Sequence, residues 1–141
     1  TLQIHEAPRT HSDLLFKGAV RDTARSVYTG LIHIKPNAAH SQAFQTNRNL
    51  TLSEGAWAES VPNLEIETNE VKCSHASTVG SVDQEQKFYL ESRGVPPEIA
   101  ERLIVFGFFN EVIDRLPKFA DVEMLRTAVN HKLNPENEVA S

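Results

Sequence analysis

Residues 49–73 read NLTLSEGAWAESVPNLEIETNEVKC, a stretch in which hydrophobic and polar side chains alternate. The motif NLTLS at 49–53 recurs as NLEIE at 63–67. Such apolar pairs recur about every six or seven residues, since others lie between and after the two motifs, at Ala56/Ala58 and Val71/Cys73. Alternation with a period of two is typical of β-strands, and short strands at regular spacing predict a sandwich, a barrel or a solenoid. No helical pattern separates these strands, which favours a β-solenoid.

The same alternation extends over residues 1–80, which we expect to form a β domain. It recurs in LLFKGAV at 14–20, SVYTGLIHI at 26–34 and EVKC at 70–73. Arg48 lies between two asparagines, and we expect it at a corner of the solenoid, because Asn adopts turn conformations. The chain begins with TLQIH rather than with methionine. We therefore expect it to be the C-terminal part of a longer protein.

Residues 81–134 have helical patterns and predict a second, helical domain. Asp83 is a suitable N-cap for a first helix, which Gly94 ends in the left-handed conformation. Pro97 begins a second helix that extends to residue 116, since proline is tolerated in a first helical turn. A third helix follows over residues 120–133, and we expect the tail 135–141 to be disordered.

The second helix carries apolar side chains on more than one face. Its main stripe includes Ile99, Leu103, Phe106 and Ile113, whereas Val105, Phe108 and Val112 lie off that stripe. A helix with this pattern is buried or is covered by a partner. We expect the segment that contains Phe106, Phe108 and Phe109 to be mostly core, with part of it available to a partner helix.

The bulk composition excludes several classes of protein. The net charge is −5, so the chain has no basic stripe for binding a nucleic-acid backbone. No apolar run approaches the roughly 18–20 residues that cross a bilayer, and the first residues lack the pattern of a signal peptide. A single cysteine forms no internal disulfide, which fits a reducing compartment, and we expect the protein to be cytoplasmic.

The single cysteine, Cys73, lies two positions before His75 in VKCSHASTVG at 71–80. In a continuous strand both side chains project to the same face, and both are metal ligands. A structural metal site usually needs four ligands, however, and the other histidines lie in different segments. Three interpretations remain: packing of a buried thiol, half of a metal site, or a Cys/His nucleophile pair. Phosphate-loop, HExxH and GxSxG motifs are absent.

Three segments together resemble the SufB/SufD family of iron–sulfur cluster assembly subunits. They are TNRNLTLS, PNLEIETNEVKCSHASTVGSVDQEQKFYLESRG and AERLIVFGFFNEVIDRL, and the resemblance covers about residues 9–116. The SufB branch carries a glutamate-rich, EHEAT-like stretch where this chain has CSHAS. The chain is therefore similar to the C-terminal half of the SufD branch.

The resemblance implies a right-handed parallel β-helix followed by a C-terminal helical domain. SufD-like subunits pair with SufB through β-helix edges and bind the ATPase SufC through their helices, here with Phe108, Phe109 and Val112. A transient iron–sulfur cluster would form at the SufB–SufD interface, with His75 and Cys73 as this chain's ligands and the others from SufB. The chain would be a scaffold rather than an enzyme, with no cofactor in the isolated fragment.

The resemblance leaves a second interpretation open and predicts self-association. The alternative is a structural β-helix interaction module in which Cys73 and His75 only pack. A fragment with exposed strand edges is also expected to form homodimers, because unpaired edges pair with other chains.

Overall fold

The described residues form six strands and three helices in two compact units. The structure, a computed structural model, describes residues 1–117 and 119–133. One unit is Thr1–Ser81 and the other begins at Val82. The tail 135–141, for which we expect disorder, lies outside the described residues. The elements are β1 (Leu2–His5), β2 (His11–Val20), β3 (Arg25–Ile34), β4 (Gln42–Thr51), β5 (Trp57–Ile66), β6 (Lys72–Ser81), α1 (Gln84–Ser92), α2 (Pro97–Ile113) and α3 (Val122–Leu133).

Successive strands lie in alternate sheets, and every strand pair is parallel. One sheet has the order β1-β3-β5 and the other the order β2-β4-β6. The register is continuous: Gln42 of β4 pairs with His11 of β2 on one side and with Lys72 of β6 on the other. The prediction of a mainly β protein with an additional helical part is therefore confirmed.

The predicted rhythm of six or seven residues is wrong. Five of the six strands have ten residues, so Ala58 and Leu64 belong to the same strand, β5. The centre of β5 contains Glu59, Ser60 and Pro62, which interrupt the alternation of hydrophobic and polar residues from which a strand is predicted. Pro62 is compatible with β5 because, among the described residues, this strand has a neighbour along one edge only.

The space between the two sheets is lined by apolar residues at one end and by amides further along. Ile32, Ile34, Ala38 and Ala43 form the buried hydrophobic cluster. Gln45, Asn47 and Asn49, on the same face of β4 as Ala43, are also buried. The prediction that Arg48 lies at a corner is wrong, because residues 47–49 lie within β4, with Arg48 exposed and both asparagines buried.

Two glycines make room for these amides. A Cβ atom at Gly30 of β3 would overlap the side-chain amide of Gln45 on the opposite sheet. A Cβ atom at Gly18 would lie 2.6 Å from Oδ1 of Asn49. Such distances are shorter than van der Waals contact, so a larger residue at either position displaces the amide. These two glycines and the buried amides are therefore complementary in shape.

The first helix of the helical unit, α1, begins and ends where the sequence predicts. The carboxylate of Asp83 accepts hydrogen bonds from the backbone N–H groups of Glu85 and Gln86, and Gly94 has a φ of 87°. Helix α2 starts at Pro97 as predicted but ends at Ile113, three residues earlier than expected. No helix in residues 1–117 and 119–133 is long and apolar enough to cross a membrane.

Helix α2 buries part of its predicted stripe, including Ile113, together with residues outside that stripe. Its fully buried positions are Ala100, Val105 and Ile113, whereas Leu103 is 50% exposed. Helices α1 and α2 are also joined by an ion pair, with Lys87 Nζ 3.2 Å from Glu101 Oε2. Val105, which lies off the main stripe, is therefore a core residue of this unit.

Replacing Gly30 by alanine should destabilise the β unit by about 1–3 kcal/mol, because the added methyl group overlaps Gln45 in a packed interior. Urea unfolding monitored by circular dichroism measures this change. Gly80→Ala is the matched control, since no atom lies within 4 Å of a Cβ there, and it should change stability by about 0.5 kcal/mol or less. Equal effects of the two substitutions would contradict the proposed contact.

Candidate thiol–imidazole site

Strand β6 carries both Cys73 and His75. It runs without interruption from Lys72 to Ser81, so the two side chains project to the same face. Cys73 pairs in register with Ala43 and His75 with Gln45, both on β4. Within the part of the chain that the structure describes, β6 has no strand on its other side. The thiol and the imidazole therefore share the face of a terminal strand.

Cys73 is partly buried at the edge of the hydrophobic cluster. It packs, together with Val71, against the cluster that contains Ile32, Ile34 and Ala43. This burial raises the pKa of the Cys73 thiol above its ordinary value, because a thiolate loses hydration in apolar surroundings. A nucleophilic cysteine requires the opposite shift, so the environment argues against a Cys/His hydrolase.

His75 lies in a different environment, although it is only two residues away. Its side chain is exposed, and its register partner Gln45 is buried. Among residues 1–117 and 119–133 its side chain has no hydrogen bond or ion pair, and none joins it to Cys73. The imidazole is therefore accessible to a ligand or to a partner chain.

The described residues do not complete a metal site around this pair. The three-residue group of potential ligands in the described chain, His33, Glu65 and Glu67, contains neither Cys73 nor His75. His5 is also unavailable, because its two ring nitrogens lie within hydrogen-bonding distance of the hydroxyls of Thr10 and Ser12. Burial lowers the pKa of His5, and the nearby His11 lowers it further. Among the described residues, the thiol and the imidazole are thus two potential ligands without a third.

A row of buried amides along β4 lies beside the pair, and the sequence analysis did not predict it. Gln45, Asn47 and Asn49 are the register partners of His75, Ser77 and Val79. Asn49 Nδ2 donates to Asn47 Oδ1 at 2.6 Å, whereas Gln45 Oε1 and Asn47 Nδ2 have no hydrogen-bond partner among the described residues. Polar residues at alternate positions of a strand are normally its solvent face, so the sequence carries no signal of their burial.

The three residues predicted to bind an ATPase partner lie on α2. Phe108, Phe109 and Val112 are each partly exposed in the helical unit. The rings of Phe108 and Phe109 make an edge-to-face contact, with centroids 5.3 Å apart. Their role in binding a partner stays a prediction.

Comparison with known proteins gives the family. Residues 1–108 match the family described as SUF system FeS cluster assembly, SufBD core domain. An iron–sulfur cluster assembly SufBD family protein of Mycobacterium leprae is 44% identical over 137 residues, which cover 92% of this chain and 35% of that protein. SufD of Bacillus subtilis is 36% identical over 130 residues, covering 92% of this chain and 30% of that protein. SufD of Escherichia coli is 38% identical over 112 residues, covering 79% and 26%.

These matches confirm the resemblance inferred from the CSHAS stretch and from the helical segment that follows it. The chain spans about a third or less of the length of the relatives described above. The family match, however, covers most of the chain itself. The chain therefore belongs to the SufBD family of iron–sulfur cluster assembly proteins.

Proposed function

We propose that this chain is part of a non-catalytic scaffold subunit of a SufBCD-type complex that assembles iron–sulfur clusters. Its similarity to two SufD proteins supports the SufD role. The alternation of parallel strands between two sheets supports a right-handed parallel β-helix over residues 1–80, with a helical domain over residues 81–134. The complex acts in the cytoplasm, where a lone cysteine remains reduced.

One observation carries the proposal: Cys73 and His75 share the face of a strand that has a free edge and no third ligand among the described residues. Thiolate and imidazole both bind iron. A second subunit, SufB, pairs with this edge and supplies the missing ligands. The nascent cluster is cargo, held between the subunits and then transferred, so the isolated chain carries no cofactor.

The second partner is the ATPase SufC, which binds the helical unit. Phe108, Phe109 and Val112 are partly exposed apolar residues of α2, and they form this chain's contribution to that contact. ATP hydrolysis belongs to SufC. Movement of the helices then changes the SufB–SufD interface. ATP hydrolysis on SufC thereby affects cluster formation at that interface.

The alternative function is a structural β-helix interaction module with no role in metal binding. The observation in its favour is the packing of Cys73 against the hydrophobic cluster. The two functions differ in what they require of His75. A packing module makes no use of the exposed imidazole, whereas cluster assembly depends on it.

Replacing His75 by alanine should lower the yield of iron–sulfur cluster severalfold when the subunit is reconstituted with SufB, SufC, iron and sulfide. The reason is the loss of a ligand from a shared site, and visible absorption together with bound iron and sulfide measures the yield. His40→Ala is the control, because His40 is also exposed but pairs with Glu70 at 3.3 Å. Wild-type yield in the His75 variant would refute the proposed role.

Cys73 should react with iodoacetamide more slowly than a free thiol at neutral pH. Burial raises its pKa, so the reaction rate should rise with pH and reach its midpoint above the ordinary pKa of cysteine. His75→Ala should leave that midpoint unchanged, since the shift comes from burial. A midpoint below that of the unfolded chain would instead indicate an activated thiol, and would revive a Cys/His enzyme.

The isolated chain should form homodimers or larger assemblies at tens of micromolar. Strands β5 and β6 have one open edge each among the described residues, and exposed apolar side chains, including Leu64, Ile66 and Val79, lie on these two strands. Sedimentation velocity measures the assembly, and Leu64→Lys should shift it towards the monomer. A clean monomer of the unsubstituted chain at that concentration would contradict the expectation.

A further inference from the structure

A second group of potential metal ligands lies on the other sheet. His33 of β3 and Glu65 of β5 are register partners in a parallel pair, so their side chains are neighbours on one face. Glu67 follows two positions after Glu65, and its backbone N–H donates to the carbonyl of Ile34 at 2.9 Å. Backbone pairing therefore brings three ligand-bearing residues together from segments more than thirty positions apart in sequence.

The distances between the ligand atoms are close to those of a metal site. His33 Nε2 lies 2.6 Å from Glu67 Oε1 and 3.9 Å from Glu65 Oε1. The three ligand atoms all lie within 4.8 Å of one another. Two ligands at about 2.1 Å from a tetrahedral ion lie about 3.4 Å apart. Shifts of less than about 1 Å, within the range of side-chain rotation, would bring all three to that spacing.

Charge favours a cation at this position. The imidazole of His33 lies within hydrogen-bonding distance of Glu67, whereas its distance to Glu65 exceeds that of a hydrogen bond. Two carboxylates thus lie beside a single imidazole, which can balance at most one of their negative charges. The His33 side chain is only 19% exposed and is therefore held in place, whereas both carboxylates are more open, at 57% and 43%. An ion can enter from solvent, and water can fill the positions that the protein leaves open.

We propose that His33, Glu65 and Glu67 form a surface site for an exchangeable divalent first-row cation. One imidazole nitrogen with two carboxylate oxygens suits Zn²⁺ or Mn²⁺, whereas Ca²⁺ and Mg²⁺ prefer oxygen ligands alone. Three protein ligands leave room for water, as in sites where the metal exchanges or binds a further ligand. The site is separate from the thiol–imidazole pair, because its strands belong to the other sheet and its ligands include no sulfur.

The chain provides a matched control for this site. His40 and Glu70 form an ion pair at 3.3 Å, and both are more than half exposed. This pair belongs to no group of three potential ligands among the described residues. A histidine beside a single carboxylate is a common surface pair, so comparing the two locations tests whether the third ligand matters.

The experiment measures Zn²⁺ binding to the chain by competition with a chromogenic chelator, and Mn²⁺ binding by the electron paramagnetic resonance signal of the free ion. Cys73→Ser with His75→Ala serves as the background, so that the thiol–imidazole pair does not contribute. We expect one ion per chain in this background. Adding Glu65→Gln and Glu67→Gln should weaken Zn²⁺ binding by about 100-fold, because even residues that only hydrogen-bond a ligand change affinity by about 10- to 100-fold.

Two further readouts keep the result interpretable. Zn²⁺ should raise the unfolding temperature of the background chain but not that of the glutamine variant, since a ligand that binds the folded state stabilises it. The variants' unfolding temperatures without metal report whether the fold is retained, and His40→Ala should bind Zn²⁺ like the background.

Equal affinity of the background and the double glutamine variant would overturn the proposal, as would full affinity in Glu65→Gln alone. Either failure leaves the role of His75 in cluster assembly untouched, because that role is measured by cluster yield in the reconstituted complex and not by Zn²⁺ affinity.

Discussion

The parallel register, in which each strand pairs with the strand two places further along the chain, is the constraint on which the rest of the structure depends. Because the register is continuous over ten residues, each position of β4 lies beside one position of β2 and one of β6. Side chains at paired positions therefore form columns that run across the strands of a sheet. The column of Ser12, Ala43 and Cys73 brings the thiol to the hydrophobic cluster, and the column of Leu14, Gln45 and His75 brings the imidazole beside a buried amide.

The two candidate sites show how one backbone arrangement gives different chemistry on different faces. On one sheet, a partly buried sulfur and an exposed imidazole nitrogen are two potential ligands that lack a third among the described residues. On the other sheet, a nitrogen and two carboxylates lie close enough to act together. The first group has two potential ligands among the described residues, whereas the second has three. The two groups lie on different sheets of the same unit, so each can be altered without changing the strands of the other.

Local features of the sequence predicted the local features of the fold. Alternation and β-branched residues located much of β2 and β3, and Asp83 and Gly94 correctly marked the two ends of α1. The length of β5 was missed, because Glu59, Ser60 and Pro62 interrupt its hydrophobic pattern. The placement of His33 beside Glu65 was out of reach for a different reason: parallel register is set by contacts across the whole unit, and no short-range signal encodes it. The burial of Gln45 was hidden for the same reason, since it depends on Gly30 in the opposite sheet.

The position of β6 at the end of its sheet also has a consequence for motion. A strand held along one edge opens at a lower free energy than a strand held along both, and in stacked repeats such opening begins at the ends. Cys73 anchors the start of β6 in the hydrophobic cluster, whereas Ala76–Ser81 is exposed throughout. We therefore expect this one strand to open more readily over Ala76–Ser81 than at its anchored start. His75 lies between the anchored start and this exposed part, so its surroundings can change without unfolding the rest of the unit.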